Sequence, residues 1–116
     1  MNIIFHIIPK SGWDAFLAAG IYSPVSLENE GYIHCCEIDQ LAAVGNRYFQ
    51  GQRDLIVLSI DKQQVLTPII YEDSTGAGEL FPHIYGSLPL NAVKRVNPFD
   101  FDGAGMFHFS QGLITE

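Results

Sequence analysis

Apolar residues run through Ile3-Ile4-Phe5, break at His6, resume at Ile7-Ile8 and stop at Pro9. A β-branched and aromatic run of this length predicts a buried strand over residues 2–8. Beyond Pro9 the period changes. Trp13, Phe16 and Leu17 recur at the i, i+3, i+4 spacing of one helical face, Ser11 and Asp14 are placed as a short-acid capping box, and Gly20 supplies a stop. Residues 21–31 hold Pro24, Ser26, Asn29 and Gly31 without a sustained period, which predicts a loop. Tyr32-Ile33-His34-Cys35-Cys36 then reads as a strand, and Ile38, Leu41, Ala42, Gly45 and Tyr48 share the face of a second helix. Residues 54–60 are almost continuously apolar, as in a strand central to its sheet. Shorter strands are expected over 67–72, 81–85 and 91–96, the last two pairing as neighbours, with a turn and a final strand near Met106 to Phe109. About six strands with two helices, both in the N-terminal half, indicate an α+β fold rather than a βαβ series.

A length of 116 residues suits one domain covering 1–116, large enough to bury a core unaided. Thirteen acidic against six basic residues leave a net charge of −7, which disfavours bulk nucleic acid, since that affinity rests on neutralising phosphates. Arg47, Arg53, Lys94 and Arg95 are unevenly spread, so a small anionic ligand or nucleotide stays open. No apolar stretch approaches the roughly 20 residues of a membrane span, and the N-terminus lacks the basic region of a secretory signal, which makes the cytoplasm the expected location. Cys35 and Cys36 are adjacent, a poor geometry for a disulfide, and are expected as reduced thiols.

Four histidines stand at positions 6, 34, 83 and 108 with none of the short spacings of a zinc site, so no metal is expected. His34 and Cys36 would share one sheet face. Either His34 is a hydrogen-bonded core histidine and Cys36 a small residue opening the second helix, or the face is reactive. A helix start would lower the Cys36 thiol, but Glu37 and Asp39 oppose a thiolate there. In Phe81-Pro82-His83-Ile84-Tyr85-Gly86, His83 and Tyr85 project from the same side of a strand; they are a donor–acceptor pair for a sugar hydroxyl or acyl oxygen, or two half-buried amphipathic side chains. Glu72, ending a strand, and Glu30, preceding the His34 strand, are the carboxylates best placed to stabilise a cation-like sugar carbon, unless they are solvated strand-end acids. Gly76-Ala-Gly78 does not open a helix and is not a dinucleotide fingerprint.

His6 in the first strand, Trp13 with Gly20 and Tyr22, Ser26-Leu27, Glu30-Gly31-Tyr32-Ile33-His34-Cys35, Ile60-Asp61, Tyr71-Glu72 and Phe81-Pro82-His83-Ile84-Tyr85-Gly86 together resemble a family of small bacterial domains of unknown function, number 952 in its series. The resemblance runs from about residue 3 to residue 96. Cys36 departs from it, standing where Ser is expected as a helix N-cap. The family in turn resembles a compact ADP-ribosyltransferase fold, which implies a split antiparallel or mixed sheet holding NAD as substrate. By that resemblance His6 and His34 would hold ribose hydroxyls, Cys36 would line the nicotinamide pocket with Tyr85, and Glu72 or His83 would be catalytic. The expected activity is cleavage or transfer at the nicotinamide–ribose bond. The alternatives are a non-catalytic module for a nucleotide or sugar phosphate and a thiol-dependent enzyme using Cys36.

Overall fold

In the computed structural model, which describes residues 2–101 and 107–109, the chain runs β1 (Ile3–Pro9), α1 (Lys10–Ala19), β2 (Ile21–Tyr22), α2 (Val25–Asn29), β3 (Ile33–His34), α3 (Leu41–Tyr48), β4 (Leu55–Asp61), β5 (Ile69–Glu72), β6 (Phe81–Ile84), β7 (Leu88–Pro89), β8 (Val93–Phe101) and β9 (Phe107–Phe109). The fold is α+β, with antiparallel pairing throughout the described strands. One sheet has the order β1-β4-β8-β9, a second β3-β6-β5, and β2 pairs with β7.

β1 and β4 are apolar at successive positions because both of their faces are covered. Ile4, Ile8, Ile56, Leu58 and Ile60 pack on one side with Phe16 of α1, Ile33 and Ile84. Ile3, Phe5, Ile7, Leu55 and Val57 pack on the other with Leu41 of α3 and Phe99. The central strand expected over 54–60 is β4, hydrogen-bonded to β1 and β8. Gly20 ends α1 in the left-handed conformation, φ 76°, which only glycine adopts without strain.

The two larger sheets part company at two adjacent residues. The Cys35 N–H donates to the Pro82 carbonyl, continuing the β3–β6 ladder, whereas Cys36 exchanges two 2.8 Å backbone bonds with Phe5 of β1. A strand over 32–36 is therefore a two-residue pairing followed by a step between sheets, and Cys35 and Cys36 are both buried instead of alternating.

Several expectations are corrected. The segment 21–31 is not a loop: Ile21 and Tyr22 form β2, and Pro24, with its extended backbone, leads into the short helix α2. Ser11 and Asp14 make no capping box, because α1 begins at Lys10 after Pro9, and Asp14 pairs with Lys10. The second expected helix opens as a 3₁₀ turn, Ile38–Gln40, and only then becomes α3. Strands 81–85 and 91–96 do not pair. β7 and the 3₁₀ turn Leu90–Ala92 carry the chain out of the second sheet, and β8 lies along β4. The expected turn over 100–105 lies largely outside the described residues, as does the side chain of His108, whose backbone stands opposite Asp100.

Candidate functional site

At the parting of the sheets lies a cleft of about 500 Å³. Its floor is apolar, formed by Phe5 and Ile7 of β1, Val44 and Tyr48 of α3, Phe49 and Phe81. Its polar side carries Glu30, Tyr32, His34, Ser74, Thr75 and His83. An apolar hollow of this size with a few convergent polar groups is the usual form of a small-molecule site.

The polar side is built by cross-strand register. His34 of β3 lies directly opposite His83 of β6, their ring centroids 5.6 Å apart. Tyr32 stacks on His83 with centroids at 3.9 Å and planes 14° apart, and meets His34 edge-on at 4.8 Å. On the far side β5 brings Glu72 to the same ring: His83 Nδ1 donates to Glu72 Oε1 at 2.8 Å, and the Tyr85 hydroxyl donates to that same oxygen. A carboxylate oxygen only accepts, so the proton of a neutral His83 sits on Nδ1 and Nε2 is left with a lone pair. The Tyr85 hydroxyl, and after it the His83 ring, hold the Glu72 carboxyl below its usual range, while the same bond pushes Tyr85 up to about 12. His83 is enclosed, its side chain 2% exposed, whereas His34 is 51% exposed and donates from Nε2 to Glu30 Oε1 at 2.8 Å.

Ser74 and Thr75 are presented by a loop that Asp73 organises. Its carboxylate accepts from the backbone N–H of Gly76 at 2.9 Å, Ala77 at 3.2 Å and Gly78 at 2.7 Å. These bonds, Gly78 first, hold Asp73 below the usual carboxylate range. The N–H groups thus face the protein's own acid and form no cradle for an anion.

The structure redistributes the roles expected from the sequence. His34 and His83 meet at the cleft, while Glu72 and Tyr85 stand behind His83 and are not among the residues lining it. Tyr85 is therefore corrected from a pocket wall to a partner of Glu72. His6 borders the cleft, but its ring is committed to other partners: Nδ1 donates to the His34 carbonyl at 2.6 Å, and Nε2 accepts from the Tyr22 hydroxyl at 2.8 Å. Burial lowers His6 to about 4, so it is neutral, and neither nitrogen is left for a ribose hydroxyl. Cys36 also borders the cleft but caps no helix, since the 3₁₀ turn begins at Ile38. Burial first, then Glu37, Asp39 and Glu79, push its thiol up to about 12, which removes it as a nucleophile at neutral pH. Sequence reasoning gave no role to Tyr32, although it stands two residues before His34, the spacing that puts side chains on one face. Tyr48 and Phe49 reach the cleft only through the packing of α3, which no local pattern reveals.

A family model described as Protein of unknown function (DUF952) matches residues 7–96. The crystal structure of protein CC0527 from Caulobacter crescentus is similar at 30% identity and a TM-score of 0.80, over 91% of this chain and 93% of that one. A crystal structure of its double mutant gives 30% identity and 0.79 over 91% and 93%, and its solution NMR structure 31% and 0.78 over 91% of each chain. None of these descriptions states an activity or a kinship with ADP-ribosyltransferases. No curated protein matches the chain. No described helix is long and apolar enough to cross a membrane.

Proposed function

The chain belongs to the family described as Protein of unknown function (DUF952), and from that premise we propose that its cleft binds NAD by the nicotinamide–ribose end and that the protein cleaves or transfers at the bond between them. The observation that carries this reading is the pairing of an aromatic floor with an acidic rim. Phe5, Tyr48, Phe49 and Phe81 line the cleft with aromatic side chains, Glu30 adds a carboxylate, and no Lys or Arg is among the described residues lining it. A flat, positively charged ring is the ligand chemistry such a surface favours, through cation–π attraction and the nearby acid.

As the bond breaks, its electron pair leaves with nicotinamide and positive charge grows on the ribose carbon. Glu30, the acid of the rim, is the carboxylate able to face that charge. Glu72, expected in this role from the sequence, is turned to His83 and Tyr85 and does not line the cleft, whereas Glu30 does, so the role passes to Glu30. His34 gives its Nε2–H to Glu30, which leaves Nδ1 as the neighbouring acceptor for a ribose hydroxyl. Purified protein with millimolar NAD is expected to release nicotinamide above blank and to show a raised melting temperature. Absence of both ends this reading. A second reading, binding of a nucleotide without chemistry, is favoured by the engagement of Glu72 away from the cleft; melting raised by NAD with no nicotinamide formed selects it.

A further inference from the structure

We propose that His83 is the general base of the cleft, that Glu72 is its positioning residue, and that the acceptor of the reaction is a group that loses a proton as it attacks, such as the O–H of water or an alcohol. This rests on the nicotinamide–ribose reading above. Three features distinguish His83 from the other histidines of the site. Its Nδ1–H is tied to Glu72, which fixes the tautomer that leaves Nε2 as the accepting nitrogen. Its ring is clamped on one face by Tyr32, so its position does not depend on a ligand. It lines the cleft while remaining almost wholly enclosed, whereas His34 is half-exposed and already donates to Glu30, and both nitrogens of His6 are committed.

Glu72 behind the imidazole is placed as a buttress. Its Oε1 is the shared acceptor of His83 and Tyr85, an arrangement that orients the ring and opposes the positive charge a protonated imidazole would carry. The step balances without a further reactant. The acceptor oxygen bonds to the ribose carbon as the carbon–nitrogen bond to nicotinamide breaks, the bonding pair departs with neutral nicotinamide, and the O–H proton passes to Nε2 of His83 and then to solvent. Water yields ADP-ribose, and an alcohol yields the corresponding O-alkyl ADP-ribose.

The test uses the full chain with NAD, in buffer and in buffer with added methanol as the alcohol probe. Wild type is expected to give ADP-ribose in the first and a share of O-methyl ADP-ribose in the second. His83→Ala is expected to lower nicotinamide release about 100-fold or more while NAD still raises its melting temperature, and added imidazole is expected to restore part of the rate. Should His83→Ala fail to fold, Glu72→Gln carries the test: kcat is expected to fall about tenfold or more with KM unchanged. Wild-type rates in either variant, or a loss confined to KM, overturn the assignment with the cleavage reading left standing. No nicotinamide from wild type overturns both.

Discussion

Tyr32 lies flat on His83, centroids 3.9 Å apart, and the opposite flank of the same imidazole is bonded to Glu72. The residue just before β3 thus supplies a lid for the ring and β5 its anchor, with β6 between them. Replacing Tyr32 by Ala removes the lid. The expected cost is about 1 kcal/mol beyond the lost burial, read by urea unfolding, with weaker NAD binding. Tyr32→Phe keeps the ring and is expected to keep both properties. Equal unfolding midpoints for wild type and the Ala variant would show that the stack does not hold the site.

His6 gives the fold a pH dependence of known sign. Its folded value of about 4 lies below the ordinary 6.5, because burial disfavours the charged form. As pH falls below 6.5 the unfolded chain takes up the proton first, so stability declines from there until the folded value is reached. The full loss is about 3 kcal/mol. Denaturation of wild type and His6→Gln at pH 7 and pH 5 measures it: the decline with pH should be smaller in the variant. The same slope in both would remove His6 as its source.

Burial and neighbouring acids raise Cys36 to about 12, and burial raises Cys35 well above the ordinary thiol range. Native protein at pH 8 is therefore expected to resist a thiol reagent and to react at both cysteines only in denaturant. Rapid labelling of the native chain would refute the buried placement. Cys36→Ser is expected to leave any nicotinamide release in place, and loss of release in a folded Ser variant would restore the thiol to consideration.

The extent to which the sequence discloses the fold follows physical range. β1, β4, α1 and α3 carry either a continuous apolar run or a helical period, and both survive as local signals. β2 and β7 have two residues each, too few for any period, and they exist because they pair with each other. The placement of β8 along β4 rather than β6 is a choice between distant partners that neither strand encodes alone. Within the site, period-2 spacing discloses that His83 and Tyr85 share a face, and their common acceptor Glu72 agrees. What it does not disclose is depth. The strands carrying His6 and His34 look alike in sequence, yet one ring is locked between Tyr22 and a carbonyl and the other opens on solvent.

Gly86 closes the β6 strand against the segment entering β5. A Cβ on it would stand 2.3 Å from Thr67 Cγ2, and the adjacent Tyr85 N–H donates to the Pro68 carbonyl at 2.9 Å. Gly86→Ala is expected to destabilise the protein by about 1–3 kcal/mol and to draw Tyr85 away from Glu72. Thr67→Ala in the same chain should recover part of the loss, because the nearest clashing atom is removed. A Gly86→Ala variant as stable as wild type would contradict the close approach.

The most direct measurement is an NMR titration of the labelled full chain with NAD, following the histidine and tyrosine ring resonances. Shifts concentrated on His34, His83 and Tyr32, saturating together and leaving the Trp13 indole unmoved, are expected if the cleft is the binding site. Unmoved rings at millimolar NAD, or shifts that bypass His34 and His83, would contradict it.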